Sequence, residues 1–120
     1  MKHIDQKSIN NILAEYHKLT KEAKVGRPQG EYPSPHPGLH TLLGVMEMSG
    51  FIETFDWMAW VESIGADNLN STSYLKTANL ETFRKLMSAH IRLERFSAGH
   101  IQKLFRSGYM QAFFEGLENL

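Results

Sequence analysis

The 120-residue chain contains no cysteine. That absence excludes disulfide staples, C-x-x-C redox chemistry, thiol nucleophiles and cysteine-ligated zinc. No apolar run approaches the roughly 20 residues that span a bilayer, and the opening MKHIDQKSIN lacks the apolar stretch of a signal peptide. No membrane partner is expected, and a reducing, cytoplasmic setting is the default. Net charge is also missing: 13 Lys and Arg balance 13 Asp and Glu, so no global field recruits nucleic acid. Sustained apolar–polar alternation, the mark of half-buried strands, does not occur. Nor does the sequence hold a G-x-S-x-G elbow, a G-x-x-x-x-G-K phosphate loop, a dinucleotide fingerprint or H-E-x-x-H. No cofactor is expected on these grounds.

What is present describes an ordinary globular chain, 42% hydrophobic and 22% charged. Its length predicts a single domain over 1–120, burying about two thirds of the unfolded surface. The balanced charge is segregated. Glu47, Glu53, Asp56, Glu62 and Asp67 form an acidic block without a base, followed by a basic block at Lys76, Arg84, Lys85, Arg92, Arg95, Lys103 and Arg106, with only Glu81 and Glu94 of opposite sign. Blocks of this kind either attract each other across the fold or present a basic docking face.

Apolar residues recur at helical spacing. Ile9, Ile12, Leu13, Tyr16 and Leu19 predict an N-terminal helix over 5–23. All four prolines fall in the next stretch, VGRPQGEYPSPHP, which predicts an extended proline-rich loop over 24–36. The loop is long for a helix connection, so Tyr32 and Pro33 are read either as a cover for the core edge or as part of a partner surface. A helical core over 37–120 then begins at Pro37, with an apolar stripe at Leu39, Leu42, Leu43 and Met46 and a stop at Gly50. Asp56 in FDWMAW predicts a helix cap, and Phe55 and Trp60 have the spacing of a hydrophobic staple across it. Asn79 predicts the cap of the longest core helix, Leu80 to about Phe96, and Ser97 that of the next, which Gly108 breaks or bends. The expected fold is all-α: a compact bundle of five to six helices with a proline-rich loop.

Two places invite chemistry. His36 and His40 have metal-like spacing, but Pro37 and Gly38 separate them, His36 precedes the helix, and a further ligand is wanting; no metal site is expected. The stretch HIRLERFSAGH is more pointed. At about 100° per residue, Glu94 and His90 share the helix side of Phe83 and Met87, Arg92 projects away, and Arg95 lies at the margin. A carboxylate on an apolar side needs a partner. The His90, Arg92, Glu94 and Arg95 cluster is therefore read either as a structural network, with Glu94 tied to an arginine or a tryptophan N–H, or as raw material for acid–base work.

The order G-F-I-x-x-F-D-W-x-x-W (Gly50 to Trp60), R-x-E-R-F-x-x-G (Arg92 to Gly99) and a final S-G at Gly108, with the Tyr32–Pro33 loop, resembles an uncharacterised bacterial family known as domain of unknown function 6508. The resemblance covers about residues 30–120 and implies a bacterial or mobile-element origin. It implies no reaction, ligand or catalytic residue. Three readings of function follow. The first is a non-catalytic helical module that binds another protein, or itself, through Tyr32, Pro33 and Trp57. The second is a small enzyme or ligand-binding domain using His90, Arg92, Glu94 and Arg95. The third is a nucleic-acid-binding accessory protein using the basic C-terminal helices, a partner that the neutral total disfavours.

Overall fold

The computed structural model describes the backbone of residues 4–24 and 37–120 and the side chains of 4–20 and 39–120. The proline-rich loop, with Tyr32, Pro33 and His36, lies outside the described residues. Among the described residues there are eight helices and no strand, so the fold is all-α. They group into two compact units, Met1–Ile52 and Glu53–Leu120.

In the first unit, α1 (Gln6–Lys24) packs on α2 (Pro37–Met48). Asp5 caps α1, its Oδ1 accepting from Ser8 N at 2.9 Å. Ile9, Ile12, Leu13, Tyr16 and Leu19 are all buried, as their spacing predicts. At the end of α2, Gly50 takes φ +82°, a left-handed conformation that strains any residue with a Cβ. Gly50 N donates to Glu47 O and Phe51 N to Met46 O, the paired bonds of a Schellman stop, and Phe51 is fully buried behind it.

The second unit is built around α6 (Leu80–Phe96), where Phe83, Arg84, Leu86, Met87, Ser88, Ala89 and His90 are all buried. Asn79 caps it through Thr82 N at 2.9 Å. α3 (Trp57–Ile64) packs on α6 and is capped by Asp56, which accepts from Ala59 N at 3.2 Å. The staple forms as expected, the Phe55 and Trp60 rings meeting edge-on at 6.0 Å, though no residue of α3 is fully buried. Two single-turn helices follow, α4 (Ala66–Leu69) and α5 (Thr72–Leu75), each contributing one buried leucine. They are too short to show a period, and with the break between α7 (His100–Arg106) and α8 (Tyr109–Glu118) at Gly108 they raise the helix number above the five or six expected. α8 packs on α5, α6 and α7, with Phe113 edge-on to Phe83 at 5.1 Å. A Cβ on Gly116 would lie 2.8 Å from Phe83 Cζ, so the bare backbone there is what lets α8 approach.

One ion pair joins the acidic and basic blocks among the described residues: Glu53 Oε1 lies 3.8 Å from Arg84 Nε, both side chains nearly closed to solvent. Ser88 Oγ ties the same place together, accepting from Glu53 N at 2.8 Å and donating to Arg84 O at 2.7 Å. No described helix is long and apolar enough to cross a membrane.

Candidate functional site

His90 sits on the core side of α6 with no solvent exposure, and both ring nitrogens are engaged. Nε2 lies 3.1 Å from the Leu69 carbonyl at the end of α4 and 3.2 Å from the Tyr109 hydroxyl at the start of α8. Nδ1 lies 2.9 Å from His100 Nε2, at the first position of α7. The carbonyl decides the tautomer, because it can only accept: Nε2 carries the proton and Nδ1 is the bare acceptor. His100 Nε2–H then donates to His90 Nδ1, with the two rings stacked at 5.2 Å. One imidazole thus joins α4, α6, α7 and α8.

The same geometry keeps the ring uncharged. Burial first, and the neighbouring His100 second, lower the His90 pKa to about 3, against a smaller opposing effect of the Leu69 carbonyl. Burial also lowers His100, opposed by Glu94 and aided by Lys103. Burial pushes the Tyr109 hydroxyl up. A neutral imidazole closed to solvent, with both ring nitrogens engaged, is suited to holding the packing of these four helices.

Glu94 is half-buried on the same side of α6, as its position on the helix predicts, but its partner is of a different kind. Oε2 accepts from Gly99 N at 2.8 Å and Oε1 from Ile101 N at 2.9 Å. Among the described residues neither arginine pairs with it, so the expected arginine or tryptophan partner gives way to the backbone. The reason lies in the turn. The residue preceding α7 is Gly99 at φ +88°, which has no side chain to cap the free N–H groups of the first turn. Ser97, expected to cap α7, instead closes α6 through Leu93 O. Glu94 reaches forward from the preceding helix and supplies the missing acceptors, its charge favourably placed at a helix N-terminus.

Arg92 is half-buried and Arg95 exposed, and neither is gathered with His90 and Glu94. They flank a different feature. The Trp57 ring, at the first position of α3, lies 6.4 Å from that of Phe96, the last residue of α6. Phe96 is 75% exposed and Met58, which follows Trp57 in the chain, 58% exposed, while Trp57 itself is half-buried. Trp57 was expected at a partner surface; Phe96 and Met58 were not. The signal for Phe96 was present: it falls about 220° around the helix from Phe83, beside Arg92 and away from the core. The partners of His90 left no comparable trace, because a main-chain carbonyl 21 residues away has no sequence signature.

His40 is exposed, and the described residues contain no group of three or more His, Cys, Asp or Glu placed to hold a metal ion. Searches of curated proteins and of solved structures returned no match. The profile of one family, described as a family of unknown function, does match, and it matches residues 6–120. The chain belongs to that family, DUF6508.

Proposed function

We propose that this chain is a protein-interaction module whose contact surface is the Trp57, Met58 and Phe96 patch. One observation carries the reading: the Phe96 ring, exposed to solvent, lies against the half-buried Trp57 ring, and the exposed Met58 follows Trp57 in the chain. Aromatic and methionine side chains are enriched where proteins bind one another, and rigid rings lose little entropy on docking. The polar cluster supports the same view from the other side, since His90 and both Glu94 oxygens are already committed to main-chain and neighbouring groups within the unit.

The test places a photo-crosslinking amino acid, p-benzoylphenylalanine, at Phe96 and, as a control, at the exposed Thr72 on α5. Irradiation in extract should give a discrete adduct from position 96 that is absent from position 72 and is lost when Met58→Ser is added. Equal labelling from both positions refutes the patch as a contact surface.

A further inference from the structure

We propose that the partner seated on this patch is a second copy of the chain, related by a two-fold axis through the aromatic pair. The inference rests on the patch being a protein-contact surface, and it is carried by the charges around the patch. On the α3 side stand Asp56, next to Trp57, and Glu62, one turn from Met58; both are exposed. On the α6 side stand Arg92, one turn before Phe96, and Arg95, next to it. Ion pairing among the described residues does not consume them. Among the described residues the cross-block pair is Glu53 with Arg84, and Lys85 pairs with Glu81 on its own helix; Glu62, Arg92 and Arg95 pair with nothing.

Acids on the helix that carries one ring and bases on the helix that carries the other would make such a patch self-complementary. A two-fold rotation carries the acidic edge of one copy onto the basic edge of its partner and brings the two aromatic pairs together. Each such contact occurs twice. The net charge of zero leaves no long-range repulsion between copies. A partner of single sign would match one edge and be opposed by the other, so the mixed rim selects a copy over a uniformly acidic or basic protein.

Sedimentation equilibrium on the purified full chain tests this. The wild type should form a concentration-dependent species of twice the 13.7 kDa chain mass. Phe96→Ser should weaken self-association at least tenfold, as should Arg95→Glu and Glu62→Arg alone, because each charge variant sets like charges opposite each other twice. All three sites are exposed, so the variants should keep the wild-type helical dichroism. Mixing Arg95→Glu with Glu62→Arg in equal amounts should restore the dimer, because both contacts are then of opposite sign. A wild type that stays monomeric at millimolar concentration overturns the proposal, as does a dimer indifferent to Phe96→Ser that shows no recovery on mixing. A monomer that still gives the position-96 adduct in extract would overturn the second copy alone and leave the contact surface standing.

Discussion

Moving the protein from pH 7 to pH 5 should remove about 2 kcal/mol of stability through His90 alone. In the unfolded chain the imidazole has its ordinary pKa of 6.5, whereas in the folded chain burial holds it at about 3. Above pH 6.5 the ring is neutral in both states and contributes no pH dependence. Below it, the unfolded chain binds a proton that the folded chain refuses, so stability falls as the pH drops from 6.5 toward 3. The slope approaches about 1.4 kcal/mol per pH unit, which gives about 2 kcal/mol by pH 5. His100, also lowered by burial, acts in the same direction. Against a total stability of about 5–15 kcal/mol such a loss is easily measured. Urea unfolding followed by tryptophan fluorescence at pH 7, 6 and 5, on wild type and His90→Gln, isolates the effect. The variant should be less stable at pH 7 by about 1–3 kcal/mol, having lost hydrogen bonds in a buried place. Its decline between pH 7 and 5 should nevertheless be smaller than the wild-type decline by about 2 kcal/mol. Parallel pH profiles for the two proteins would refute the reasoning.

Three further outcomes are expected. Glu94→Ala should cost about 2 kcal/mol in urea or thermal unfolding, the scale of a lost helix cap with charge-assisted bonds, and Glu94→Gln about half of that, since the amide keeps one acceptor oxygen; a loss above about 4 kcal/mol would mean that Glu94 neutralises a buried positive charge instead. Gly116→Ala should destabilise by about 1–3 kcal/mol through overpacking against Phe83, despite alanine's better helix propensity, and Phe83→Leu in the same chain should recover part of the loss; a rise in Tm for Gly116→Ala alone would show that the Phe83 ring gives way. Asp56→Ala should cost about 1 kcal/mol, one helix cap, and Trp60→Ala less than the roughly 3 kcal/mol of a core aromatic because that ring is half-buried; equal and larger losses at both positions would contradict the staple as drawn.

Local features of this chain were legible in its residues, and partnerships between distant ones were not. The stripe of α1, the stop at Gly50, the caps Asp56 and Asn79 and the Phe55–Trp60 staple all depend on neighbours within a turn or two, where spacing is geometry. Glu94 was placed on the correct side of α6, but an arginine looked like its natural partner because side chains are visible in a sequence and free N–H groups are not. Ser97 looked like a cap for the complementary reason: its type is right, but the left-handed Gly99 moves the helix start two residues on. His90 was expected in the core. Its bonds to Leu69, His100 and Tyr109 required the paths of four helices, which no periodicity contains.

Glu94 and His90 also differ in how far along the chain they reach. The Glu94 bonds close loops of five and seven residues, whereas the bond from His90 to Leu69 closes one of 21. Short loops lose less entropy on closure, so the corner between α6 and α7 is expected to form ahead of the His90 junction. Glu94→Ala then slows folding, while His90→Gln mainly hastens unfolding, a division that stopped-flow chevrons resolve. A chain halted between the two steps has a finished corner and an imidazole still open to protons. Mild acid should therefore act on the His90 junction, the last step of assembly.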